Sequence, residues 1–197
     1  VEILTNTSVQ SLISSNKGVE ILTSNGTIEA DFIVVGIGVV PCDKLAIDAG
    51  LDVDNGIVVD EFCSTSDKNI FSAGDCTYHP SVFYEKNIRL ESVHNAIEQG
   101  KTVASSILGQ KKAYDQIPWF WSDQYEHKLQ IVGISGDHDR TLIRGSIDEK
   151  SFMVFYLKNN ELIAVDSVNN SKGFLVSKKL VANKLKISSD ILCDQSV

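Results

Sequence analysis

Thr65-Ser66-Asp67-Lys68-Asn69-Ile70-Phe71-Ser72-Ala73-Gly74-Asp75 is the stretch that decides the fold. Ile70-Phe71-Ser72-Ala73 reads as a short buried strand, and Gly74-Asp75 ends it. In open α/β sheets, ligands sit beyond the carboxyl ends of the strands. Gly74 permits close backbone approach there. Asp75 offers carboxylate oxygens that accept hydrogen bonds from sugar-alcohol hydroxyls. On a Gly-Asp pair alone, an Asx turn closing a strand is the better reading. The whole eleven-residue pattern favours a ligand site.

Upstream, Asp31-Phe32-Ile33-Val34-Val35-Gly36-Ile37-Gly38 is a continuous apolar run ending in glycines. It suits a strand buried on both faces of a parallel sheet. Before it, Asn16-Lys17-Gly18 and Ser24-Asn25-Gly26 are turn signals between apolar stretches. The opening Val1-Glu2-Ile3-Leu4 reads as the inside of a strand, as in a piece of a longer chain. Downstream, Val93, Ala96, Ile97, Val103, Ala104, Ile107 and Leu108 keep helical spacing. Ser92 is a good N-cap for that helix and Gly109 a good stop. Its N-terminus favours negative charge, and the Val93 N–H is a candidate donor. The plainer reading is a capped amphipathic helix packed on a sheet.

Beyond Pro118 the pattern changes. Strand-like stretches recur at Leu129–Ile134, Arg140–Gly145, Phe152–Leu157 and Leu162–Val168, with Asn159-Asn160 as a hairpin turn. A lysine-bearing helix, roughly Gly173 to Leu185, follows. The pattern therefore reads as α/β over 1–55 and 56–115, then a small α+β domain over 116–197.

Composition sets outer bounds. The 197 residues are 43% hydrophobic, with mean hydropathy −0.01, ordinary for a chain with a real core. The formal charge of −8 makes nucleic acid a poor partner. No apolar run reaches membrane-spanning length. The four cysteines, Cys42, Cys63, Cys76 and Cys193, are scattered, which fits reduced thiols in a cytoplasmic protein.

The 65–75 pattern resembles the second FAD motif of two-dinucleotide-binding-domain flavoproteins. The resemblance implies that Asp75, next to Gly74, bonds the ribityl chain of FAD. Val34-Val35-Gly36-Ile37-Gly38-Val39-Val40-Pro41 looks like the end of that family's NAD domain, where Gly36 and Gly38 let nicotinamide approach. In Arg89-Leu90-Glu91-Ser92-Val93-His94-Asn95-Ala96-Ile97-Glu98-Gln99-Gly100 the resemblance aims Ser92 and Val93 at the flavin pyrimidine ring and sets Glu91 near the nicotinamide carboxamide. Pro118-Trp119-Phe120-Trp121-Ser122-Asp123-Gln124-Tyr125 is similar to the start of the last domain in ferredoxin and rubredoxin reductases of the putidaredoxin reductase type. There Trp121 would flank the isoalloxazine at the electron exit. Without that context the aromatics read as a core cluster at a domain border. The likeness runs on through Asp139-Arg140, Arg144-Gly145-Ser146, Phe155-Tyr156-Leu157 and Ala164–Asn169.

The resemblance implies FAD and NAD(P)H as cofactors and a [2Fe-2S] ferredoxin or rubredoxin as acceptor, with Lys101 as a partner contact. No side-chain acid, base or nucleophile is then required. His79-Pro80 reads as structural, His94 as a neighbour of the flavin site, and His127 and His138 have no metal-ligand partners at useful spacing. One departure stands out: neither GxGxxG loop of the family is present. The chain is therefore expected to be inactive alone. Alternatives are a flavin-dependent reductase with another acceptor, such as monodehydroascorbate or nitrite reductase centres, a disulfide oxidoreductase, and a non-catalytic binding module.

Overall fold

The computed structural model describes residues 1–16 and 18–194. It divides into two compact units, Val1–Val40 and Pro41–Val197.

The first unit is an antiparallel meander of β1 (Val9–Ser15), β2 (Gly18–Thr23) and β3 (Gly26–Ala30), paired in that order. The β2–β3 turn is the expected Ser24-Asn25-Gly26. There the Thr23 hydroxyl accepts the Asn25 N–H at 3.1 Å and donates to the Gly26 carbonyl at 2.7 Å. In the other expected turn, Lys17 lies outside the described residues. Two expectations fail here. Val1 to Leu4 form no strand, and neither do Asp31 to Gly38. Val34 is 84% exposed and Ile37 91%. A strand buried on both faces needs a hydrogen-bonding neighbour on each side. Among the described residues, no strand pairs with this run.

The second unit opens with α1 (Lys44–Asp48) and a small sheet of β4 (Val53–Asp54), β5 (Gly56–Val58), β6 (Thr77–Ser81) and β7 (Lys86–Ile88), in that order. β5 and β6 run parallel and the outer pairs antiparallel. Ile70–Ala73, expected as a strand, makes only an isolated bridge from Phe71 to Ser64. The reason is local. The Asp67 carboxylate takes the Asn69 N–H at 2.8 Å, and the Ile70 N–H turns back to the Asp67 carbonyl at 3.0 Å. This tight loop consumes the donors a ladder would need. Gly74-Asp75 therefore leads into β6 instead of ending a strand.

Helix α2 (Val93–Ile107) follows, with Ser92 as N-cap, its hydroxyl accepting the Asn95 N–H at 3.1 Å. Gly109 just past its end has φ +75°, the left-handed conformation that stops a helix. The face it buries is the reverse of the expected one. Asn95, Gln99 and Thr102 point inward, while Val93 and Ile97 are 56% and 51% exposed.

The remainder is a five-stranded antiparallel sheet backed by helices. Its strands are β8 (Trp119–Gln124), β9 (His127–Gly133), β10 (Arg140–Ser146), β11 (Ser151–Lys158) and β12 (Glu161–Val168), in the order β10-β11-β12-β9-β8. Asn159 and Asn160 turn β11 into β12 with φ of 51° and 66°, as a tight hairpin turn requires. Helix α3 (Ser171–Ala182) and helix α4 (Ser189–Cys193) complete the unit. Register places Trp119, Val132, Val165, Phe155 and Leu142 in one row. That row and its neighbours meet Phe174, Val181 and Leu192 in the core. Each fully buried side chain there contributes roughly 1.5–3 kcal/mol.

Candidate functional site

Gly74 is buried and Asp75 exposed. The Gly74 N–H donates to the Gln99 side-chain carbonyl at 2.7 Å, and the Thr77 hydroxyl donates to the same oxygen at 2.8 Å. A methyl group at Gly74 would lie 3.7 Å from the Ala96 Cβ. The turn thus rests on the first turns of α2. Gln99 is held in turn by Asn95, 3.5 Å away, whose own carbonyl accepts the Tyr114 hydroxyl at 2.8 Å. This buried polar ladder ties the turn, α2 and the segment before β8 into one body.

Around the outer side of the turn runs Arg89. Its guanidinium donates to the Asp75 backbone carbonyl at 3.3 Å, to the Glu91 carboxylate at 2.5 Å and to the Asn55 side chain at 3.2 Å. Glu91 and Asp75 are thus joined through one cation. Ser92 satisfies Asn95, whereas Val93, first in the helix, has an N–H with no acceptor inside the helix by construction.

The neighbouring side chain, His94, begins an aromatic chain. Its ring lies 5.4 Å from Trp119, and Trp119 lies 5.4 Å from Trp121. Trp119 also meets Phe174 and carries the Lys178 ammonium 4.6 Å over its face. Burial pulls the His94 pKa down, and the nearby Lys178 and Lys101 pull the same way, against Glu98. His94 Nδ1 is buried without a hydrogen-bond partner among the described residues. Lys101 is exposed and paired with Glu98 at 2.6 Å.

The second unit therefore brings Gly74, Asp75, Glu91, Ser92 and Val93 to the start of α2, with Trp121 one ring further out, beyond Trp119. Gly36 and Gly38 lie in the first unit, on exposed irregular backbone. His79 is buried and T-shaped against Tyr114, a structural placement. Sequence reasoning assigned no role to Arg89, Gln99 or Tyr114. Polar residues on a helix or loop look like solvated surface, and only the fold shows what they hold. The stretch quoted around Trp121 did contain Trp119, the residue that carries the contact to α2.

Parallel pairing of β5 with β6, helix α2 beyond it and the five-stranded sheet that follows fit one class, the end of a two-dinucleotide-binding-domain flavoprotein with a small α+β reductase region, and the comparisons bear that class out. Residues 1–100 match the family model described as pyridine nucleotide-disulphide oxidoreductase, and residues 119–197 match the reductase C-terminal model. The chain belongs to the pyridine nucleotide-disulphide oxidoreductase family. It is 43% identical over 178 residues to putidaredoxin reductase CamA of Pseudomonas putida, covering 90% of this chain and 42% of that protein. Rubredoxin-NAD(+) reductase, also of Pseudomonas putida, is 39% identical over 152 residues, covering 77% of this chain and 40% of that protein. Among solved structures, the covalent putidaredoxin reductase–putidaredoxin complex superposes with a TM-score of 0.90 at 41% identity, covering 97% of this chain and 47% of the other. The chain thus spans under half the length of these relatives.

Proposed function

We propose that this chain is the flavin- and acceptor-facing part of an NAD(P)H-dependent reductase that passes electrons through FAD to a [2Fe-2S] ferredoxin or a rubredoxin in the cytoplasm. One observation carries the reading. The exposed Asp75 carboxylate sits on a turn pinned to α2 at 2.7 Å, and an aromatic chain starts from that same helix end. Three features fit FAD. Asp75 supplies acceptors for ribityl hydroxyls. The Val93 N–H and the α2 dipole supply positive potential for an electron-rich ring edge. The His94 ring beside the helix start continues into the Trp119 and Trp121 rings, a flat apolar flank for a planar ring. When bound, FAD would supply hydride acceptance and one-electron release.

The chain's own residues do the rest. Asp75 and Val93 orient the group, Trp121 covers the ring and excludes water at the exit, and Glu91 meets the nicotinamide carboxamide. Gly36 and Gly38 belong to the nicotinamide approach. Residues 1–55 and 56–115 then end the NAD(P) and FAD domains, and 116–197 is the domain that faces the acceptor. Lys101 offers a cationic contact to an acidic iron–sulfur protein. The putidaredoxin complex among the structural neighbours supports an acceptor of that kind for its own reductase.

The test uses the longer protein that contains this chain. It should purify with bound flavin, bleach with NADH or NADPH, and reduce ferredoxin or rubredoxin faster than small acceptors. Asp75→Ala should lower flavin content while its far-ultraviolet circular dichroism stays that of the wild type, with the melting temperature falling only by the stabilisation that bound flavin gives. A colourless wild-type protein, or Asp75→Ala with full flavin occupancy, would sink the reading.

A further inference from the structure

Arg89 touches the backbone of one proposed contact residue, Asp75, and the carboxylate of another, Glu91. Its guanidinium stands between the Asp75 backbone carbonyl, 3.3 Å away, and the Glu91 carboxylate, 2.5 Å away. It is anchored behind by the Asn55 carbonyl at 3.2 Å. Its side chain is only 13% exposed, whereas the Glu91 side chain is 41% exposed. Gly56, at φ +117°, lies against both the Cys76 carbonyl and this stem: a Cβ there would sit 2.6 Å from the carbonyl oxygen and 3.1 Å from Arg89 Cδ. These are the marks of a placed residue and not of a solvated surface pair. A planar fork of N–H donors can serve three acceptors at once, which an ammonium on a flexible stem cannot do with the same fixed directions.

We propose that Arg89 is a positioning residue that couples the flavin-holding turn to the nicotinamide-facing Glu91. The inference rests on the functional reading above. Without the guanidinium, Glu91 would turn freely into solvent and Asp75's carbonyl would lose its tether. The nicotinamide contact would then move independently of the turn that fixes the flavin. Asp75 and Glu91 are far apart in role but share one cation, so a change at either end is felt at the other.

The experiment measures NAD⁺ affinity of the flavin-loaded full-length protein by titration of its flavin absorption, with flavin content and melting temperature recorded alongside. Arg89→Met keeps the stem and removes the fork. It should keep its flavin and lose about tenfold in NAD⁺ affinity, the scale of one charge-assisted hydrogen bond. Glu91→Gln should lose a similar factor, and the double variant should be no weaker than the worse single one. Arg89→Lys should recover only part of the loss. Asn55→Ala, which leaves Arg89 in place but unanchored, should weaken NAD⁺ in the same direction by less. Wild-type affinity in flavin-loaded Arg89→Met, or singles whose losses multiply in the double variant, overturns the coupling while leaving the flavin reading intact. A wild-type protein that takes up no flavin overturns both, and that outcome is seen before any variant is made.

Discussion

The side-chain oxygen of Gln99 accepts from the Gly74 N–H and the Thr77 hydroxyl, and the Thr77 hydroxyl also reaches the Gly74 carbonyl at 2.9 Å. Gln99→Leu would leave the Gly74 N–H buried and unpaired, while Thr77 keeps the Gly74 carbonyl. One such donor costs about 1–3 kcal/mol. We expect the variant to lose about 1–3 kcal/mol in urea unfolding. A loss under half a kilocalorie would mean that the turn finds other acceptors. His79 gives a second prediction at this scale. Burial holds its ring at a pKa of about 4, below the ordinary 6.5. The Thr77 backbone beside the ring opposes that shift, but among the described residues neither ring nitrogen has a partner at full hydrogen-bonding geometry, so burial wins. The unfolded chain takes up a proton as pH falls through 6.5, and the folded ring does not until about 4. Stability from this residue is therefore complete above pH 6.5 and lost as pH falls toward 4. His79→Phe should flatten that part of the stability–pH curve; equal slopes in both proteins would refute it.

At the scale of elements, α2 and α3 make opposite predictions for apolar substitution. Val181 is fully buried, so Val181→Ala should cost on the order of 1–3 kcal/mol by leaving a cavity. Ile97 on α2 is half exposed, and Ile97→Gln in this chain should change unfolding energy by no more than about 0.5 kcal/mol. Urea titrations of the two variants would show whether the ranking holds. The contrast explains what the sequence made legible. β9 to β12 were readable within a residue or two, because strands in an antiparallel sheet carry their own alternation, as β11 does with Met153, Phe155 and Leu157 inward. The turn at Asn159-Asn160 was readable because few residues accept positive φ there. β8 was seen only as an aromatic cluster, since three adjacent aromatics hide a period of two. The helical period of α2 was visible, but its inward face was not. Periodicity reports an apolar stripe, whereas burial depends on which partner is present, and here the polar side bears Tyr114 and Gly74. The site was half readable for the same reason. Asp75 and the start of α2 stand out as ligand-type chemistry, while Arg89 and Gln99 act through contacts that have no sequence signature.

At the scale of the whole molecule, apolar exposure becomes an argument about flavin. Val34 and Ile37 in the first unit, and Val93, Ile97 and Ile107 in the second, are all more than half exposed. Large apolar side chains this exposed, three of them on one helix, fit surfaces that other parts of a protein cover. The relatives are more than twice as long as the matched region, which occupies 42% of putidaredoxin reductase. No GxGxxG loop occurs in the 197 residues, so the backbone cradle for a pyrophosphate is absent from this sequence. Asp75 and the α2 N-terminus would then grip only the ribityl and ring end of a dinucleotide. Expressed by itself, the chain should be nearly colourless, bind added FAD weakly, and associate with itself through the uncovered apolar faces. Size-exclusion chromatography should show it larger than its 21.6 kDa monomer. The longer protein should be yellow and should not associate in this way. Asp75→Ala should matter in the longer protein and make little difference in the short one, because one contact cannot hold a ligand whose other half is unbound. A monomeric 197-residue chain carrying one flavin per molecule would show that the carboxylate and the helix tip suffice, and that the missing cradle is not what FAD binding requires.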